Sequence, residues 1–98
     1  MTVVGNGKDV PSFVNGFEWD PAAESNKMTA AGSVYEITYK GVAANKDLEF
    51  KFTANGAWAL SWGNNAQVVL GTPMDAFYNG ENFKINYAST KEIGRAHV

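Results

Sequence analysis

The side chains best suited to chemistry in this chain are three tryptophans and one lysine. Trp19 precedes an Asp-Pro pair, Lys51 lies between two phenylalanines, and Trp58 and Trp62 follow an Asn-Gly pair. A sugar ring has a flat face of C–H bonds and a rim of hydroxyls. Proteins stack that face on an indole and hydrogen-bond the rim with amide, ammonium or carboxylate groups. The residue types therefore favour binding of a sugar polymer over catalysis.

The sequence offers little for an enzyme. General acid–base catalysis needs a histidine or a pair of carboxylates with tuned pKa values. The only histidine, His97, lies in the C-terminal tail. The carboxylates of Glu18, Asp20 and Glu24 lie in a predicted loop, where solvation or weak calcium binding is a better interpretation than catalysis. We therefore expect no catalytic residues, no cofactor and no resident metal.

Composition narrows the class of partner. With 98 residues and 45% hydrophobic side chains, the chain is long enough for one compact domain. Its formal net charge is −2 and no stretch is strongly basic, which argues against nucleic acid and anionic membranes. The absence of cysteine excludes disulfides and thiolate-bound zinc. No apolar run approaches the roughly 20 residues of a spanning helix, and the first residues lack a signal-peptide pattern.

Alternation of apolar and polar residues predicts most of the secondary structure. In one such segment, residues 48–53, the phenylalanines face inward while Lys51 and Thr53 face outward. Residues 5–28 are rich in turn formers and predict a loop with at most a short strand near Phe13. The predicted strands are residues 2–4, 34–40, 48–53, 68–70 and 82–87. Short strands, many turns and no helical repeat predict an all-β, antiparallel, immunoglobulin-like β-sandwich.

The Asn-Gly pair at residues 55–56 predicts a tight hairpin turn. The strand that returns from it carries Trp58, Leu60 and Trp62, which strict alternation places on one face. Cross-strand geometry then brings Trp58 close to Lys51. Because the intervening residues are small, this face could equally be the core face, with at least one of the two tryptophans inside. The residues alone leave open which of the two is inside.

The C-terminal residues 93–98 carry no strand pattern. Residues 92–98 can be encoded by a common sequencing-adapter oligonucleotide preceded by one guanine. We therefore predict a domain over residues 1–92 and a non-native tail over 93–98, in a fragment that lacks its last strand. Without the tail, the loss of Arg95 changes the formal net charge from −2 to −3.

The order of short motifs resembles the small starch-binding β-sandwich modules of bacterial pullulanases and cell-surface starch proteins. These are similar in pattern to the glycogen-binding modules of the amylase superfamily. The resemblance spans about residues 2–87. It rests on Trp-Asp-Pro at 19–21, Asn-Lys-Met-Thr at 26–29, Glu-Phe-Lys-Phe at 49–52, Trp at 58, Trp-Gly at 62–63 and Phe-Lys-Ile at 83–85.

What the resemblance implies is a site and a function. In such modules an early-loop tryptophan, a strand lysine and a tryptophan after the hairpin commonly hold the glucan, and these match Trp19, Lys51 and Trp58. An asparagine before the last recognisable strand often adds a hydrogen bond, and Asn82 matches it. Trp62 matches the Trp-Gly pair, which either packs or binds. The implied protein is a non-catalytic module for starch, glycogen or maltooligosaccharides, within a larger secreted or cell-surface protein.

Two departures from the family pattern leave alternatives open. Residues 66–79 are an insertion, and its aromatic residues Phe77 and Tyr78 could either add a ring to the site or cover it. Residue physics alone also leaves open whether Trp19 is held outward by Pro21 or folds back over the sandwich. If all three tryptophans are partly buried, the chain is instead an immunoglobulin-like structural spacer without a ligand.

Overall fold

The computed structural model describes residues 1–8, 10, 13–32, 34–42, 47–68, 74–86 and 91–97. These residues form two antiparallel β-sheets, which confirms the predicted all-β sandwich. The strands are β1 (Thr2–Gly5), β2 (Thr29–Ala31), β3 (Val34–Val42), β4 (Leu48–Ala54), β5 (Ala57–Gly63), β6 (Phe77–Tyr78), β7 (Phe83–Ile85) and β8 (Lys91–His97). No helix in the described part of the chain is long and apolar enough to cross a membrane.

The larger sheet is built around β4. Its strand order is β1-β4-β5-β6, with β7 also paired to β4, while the smaller sheet has the order β2-β3-β8. Gly5 of β1 and Phe83 of β7 both pair with Phe50, so β1 and β7 flank β4 on opposite sides. Since β5 pairs with the other end of β4, β5 and β7 lie one after the other along the same side.

The hydrophobic core lies between the two sheets. Phe50 stacks on Phe83 with ring centroids 5.0 Å apart, and Tyr39 and Val42 of β3 pack into the same cluster. Phe13 meets Tyr39 edge to face at 5.8 Å. We call the side of the larger sheet that carries Phe50 its inner face, and the opposite side its outer face.

The predicted loop over residues 5–28 contains two 3₁₀ turns, Val14–Gly16 and Glu24–Asn26, and no strand forms near Phe13 in the part of it that the structure describes. Asn26 is 1% exposed and joins both turns to β3. Its Nδ2 donates to the Val14 carbonyl at 2.8 Å, and its Oδ1 accepts from the Tyr39 hydroxyl at 2.8 Å and from Asn15 Nδ2 at 2.9 Å. A buried amide with this many partners fixes the loop on the sandwich.

Burial of the Tyr39 hydroxyl predicts a loss of stability at alkaline pH. Desolvation raises the pKa of Tyr39 above its ordinary value of about 10. The unfolded chain therefore ionises first, and stability is full below pH 10 and falls by up to about 1.4 kcal/mol per pH unit above it. We expect denaturant unfolding from pH 8 to 11 to show that the free energy of unfolding of the parent falls relative to that of Tyr39→Phe above pH 10. A constant difference between the two proteins up to pH 11 would contradict this.

Three other predicted segments differ from the structure. Val68 lies outside any strand, although its backbone N–H donates to the Lys84 carbonyl at 2.8 Å; residues 69 and 70 lie outside the described residues. The predicted strand at 82–87 is shorter, Phe83–Ile85. The C-terminal residues form a strand although their sequence has no strand pattern, because Lys91–His97 pairs antiparallel with β3 as β8. A sheet edge can take up a segment by backbone hydrogen bonds alone, without an alternating side-chain pattern.

Candidate functional site

Directly after the hairpin turn, β5 carries three more residues than the strand that faces it. Ala54 pairs with Ala57, as a two-residue turn requires, and the next pair is Thr53 with Ser61. One step along β4 therefore corresponds to four steps along β5, and residues 58–60 form a wide bulge. The Asn-Gly turn before it has φ values of 60° and 65°, which confirms the predicted hairpin.

When a bulge adds an odd number of residues, the side chains beyond it lie on the face opposite to the one that strict alternation predicts. Trp62 pairs with Phe52 and therefore lies on the inner face. Trp58 lies on the outer face, next to the inward Ala57, and is 46% exposed. The prediction that Trp58, Leu60 and Trp62 share one face is wrong, because strict alternation holds only where a strand has no bulge.

Trp19 is brought to Trp58 by the loop after β1. Its backbone N–H donates to the Gly5 carbonyl at 2.8 Å, which fixes the loop beside β1. The side chain of Asp20 accepts from the Ala22 N–H at 2.9 Å and closes the following turn. The indole of Trp19 lies 6.4 Å from that of Trp58, centroid to centroid, with the two planes inclined by 39°. Two segments far apart in sequence thus form one tilted ring pair.

The ring pair bridges β4, because Trp19 is anchored beside β1 and Trp58 projects from β5. On the outer face beneath this bridge, Val4 and Thr53 are 1% and 0% exposed, although neither belongs to the core between the sheets. The outward-facing Thr53 is therefore covered rather than solvated. Its hydroxyl has no hydrogen-bond partner among the described residues, a condition that costs about 1–3 kcal/mol.

A polar cleft of about 340 Å³ lies on the outer face, lined by residues other than the two tryptophans. Lys51 lies two residues from Thr53 on β4, a spacing of about 6.6 Å. The Asn82 side chain donates to the Glu49 carboxylate at 3.3 Å, and Lys84 Nζ donates to Asn65 Oδ1 at 3.1 Å. The lining residues are Glu49, Lys51, Asn65, Asn79, Gly80, Glu81, Asn82 and Lys84. The cleft therefore offers amide, ammonium and carboxylate groups together.

Two glycines allow the cleft to form. A Cβ on Gly63 would collide with the Glu81 carbonyl oxygen, and a Cβ on Gly80 with the Gly63 carbonyl oxygen. The backbone that leaves β6 therefore crosses directly over β5 at Gly63 before it enters β7. This crossing places Asn82 beside Glu49 on the outer face of β4.

The structure brings four of the five predicted site residues to one face. These are Trp19, Lys51, Trp58 and Asn82. Trp62 is not with them: it is half-buried on the inner face, where its ring meets Tyr78 edge to face at 6.0 Å. Sequence reasoning missed Glu49 as the partner of Asn82, although alternation along β4 places it on the same face as Lys51.

The described residues contain no group of three or more His, Cys, Asp or Glu side chains able to hold a metal ion.

Comparison with protein-family models gives no match, and no curated protein sequence matches the chain. The features that bear on function are the tilted ring pair and the cleft on the same face.

Proposed function

We propose that this chain is a non-catalytic carbohydrate-binding module for α-glucans: starch, glycogen and maltooligosaccharides. It would direct a larger amylolytic or surface protein, secreted from the cell, to its polysaccharide. One observation carries the proposal. The tilted pair of Trp19 and Trp58 lies on the same face of the sheet as a cleft lined by Lys51 and Asn82.

The angle between the two indole planes favours an α-1,4-linked glucan over a β-1,4-linked chain. A β-1,4-linked chain is flat and extended, whereas an α-1,4-linked glucan curves, so that successive glucose rings are inclined to one another. Two indoles at 39° offer successive stacking surfaces to a curved chain. Trp19 and Trp58 would each stack one glucose ring, through contact with its face of C–H bonds.

The cleft supplies hydrogen bonds for the rim of the sugar. A hydroxyl both donates and accepts, so it is best met by a mixture of groups. Lys51 donates, Glu49 accepts and Asn82 does both. Affinity of a single module should be modest, because a flexible, hydrated glucan loses entropy when it binds. Further modules in the same parent chain would offset that loss by raising the effective concentration.

Native affinity electrophoresis tests the proposal. Since the ring pair suits a curved chain, we expect the protein to migrate more slowly in gels that contain amylopectin or glycogen than in plain gels. In gels that contain a soluble β-glucan its migration should match that of a non-binding reference protein. Equal migration in all gels would contradict the α-glucan proposal and favour the structural spacer. Retardation by the β-glucan alone would assign a different class of sugar.

A further inference from the structure

The two residues of β6 direct their rings to opposite faces of the larger sheet. Tyr78 pairs with Trp62, and Phe77 pairs with Gly63. Trp62 lies on the inner face through its own pairing with Phe52, so Tyr78 does too. Phe77 therefore lies on the outer face, the face of the ring pair and the polar cleft. This follows from register alone.

Phe77 is joined to the loop that lines the cleft and lies close to Ser61, the partner of Thr53. Its carbonyl accepts from the Gly80 N–H at 2.9 Å, which joins it to the loop that lines the cleft. The N–H of Asn79 donates to the Ser61 carbonyl at 2.9 Å, which fixes β6 against β5. Ser61 pairs with Thr53. Phe77 lies on the strand next to Ser61, about 4.8 Å away across the sheet, and two residues, about 6.6 Å, further along it. It is 56% exposed.

The residue of β5 between Phe77 and Lys51 is Gly63, and it is covered by the backbone of Gly80 and Glu81, which also lines the cleft. In the continued register of β4 and β5, Gly63 lies beside Lys51. An apolar ring, a polar cleft and the tilted ring pair therefore follow one another on the outer face. An extended polymer could contact all three.

We infer that Phe77 is a third stacking ring of the site and makes the protein favour longer α-glucan chains over short ones. This inference rests on the proposed function and deepens it. The ring pair holds a short maltooligosaccharide by itself, and a longer chain passes the cleft and places a further glucose ring on Phe77. Affinity therefore rises with chain length, and contact with Phe77 supplies the gain of a longer chain over a short one.

Isothermal titration calorimetry with maltotriose and maltoheptaose tests the inference. In the parent protein, maltoheptaose should bind at least about fivefold more tightly than maltotriose, the size expected of one significant contact. Phe77→Ala should remove most of this preference and leave the maltotriose affinity unchanged within about twofold. Phe77→Leu, which keeps apolar volume but lacks a flat ring, should lose the preference as well.

Tyr78→Ala is the matched control. Tyr78 is 55% exposed on the same strand but faces the other way, so the ratio of the two affinities should stay at the parent value. A normal ratio in Phe77→Ala, or an equal loss of ratio in Tyr78→Ala, would overturn the role of Phe77 while the proposed function stood. If the parent binds neither sugar, the proposed function fails and this inference fails with it.

Discussion

Trp58→Ala should weaken binding to amylopectin by about 30-fold or more, the effect of losing a tryptophan worth about 2 kcal/mol at the centre of an interface. Leu60→Ala, a change in the same bulge at a residue that is 38% exposed, should weaken it less than about twofold. The reason is chemical: both side chains are apolar, but only the indole has a flat face for a sugar ring. Affinity electrophoresis over a series of amylopectin concentrations gives both dissociation constants.

The pair should behave as one unit. Trp19→Ala removes the neighbour that holds the Trp58 ring, so it should cost about as much affinity as Trp58→Ala, and the double variant little more than either. All three variants should keep cooperative thermal unfolding, because the pair lies outside the core between the sheets. Additive losses would show that the rings bind independently, and undiminished affinity in both single variants would remove them from the site.

Asn26→Ala should reduce the free energy of unfolding by about 2–4 kcal/mol. The change leaves the Tyr39 hydroxyl and the Val14 carbonyl without the partner that each has now, and both residues are buried. An unpaired buried polar group costs more than an ordinary hydrogen bond contributes. Since a domain is stable by only about 5–15 kcal/mol, denaturant unfolding should show the loss clearly.

Asn15→Gly is the control for that experiment. The exposed Asn15 donates to the same Oδ1 of Asn26 and to the Ser25 carbonyl. When glycine replaces it, Asn26 Oδ1 still accepts from the Tyr39 hydroxyl. The φ of Asn15 is 53°, which glycine adopts without strain. We expect a loss of about 1 kcal/mol or less. Equal losses in Asn15→Gly and Asn26→Ala would refute the special role of the buried amide.

Local sequence rules predicted the parts of the fold that local physics decides. Alternation placed β3 and β4, and the Asn-Gly pair placed the turn, because each signal depends on a few neighbouring residues. The placement of Lys51 on the outer face followed from the same rule. The grouping of Trp58 with Trp62 failed, because side-chain types do not reveal how many residues a partner strand leaves unpaired.

Tertiary contacts decided the rest. Asn26 lies in a stretch of polar and small residues and has the composition of a solvated loop, yet it is buried because two turns and β3 converge on it. Thr53 follows the alternation, yet its outward side chain is fully buried. The cleft depends on a backbone crossing at Gly63. Each of these requires knowing which distant segments meet.

The bulge at residues 58–60 also bears on how such a protein can evolve. If these three residues were deleted, Ser61 would follow Ala57 directly and keep its place opposite Thr53, with Trp62 still opposite Phe52. A ring-bearing segment of three residues can therefore be gained, lost or exchanged during descent with no change to the core, so selection for a new ligand need not act on the fold.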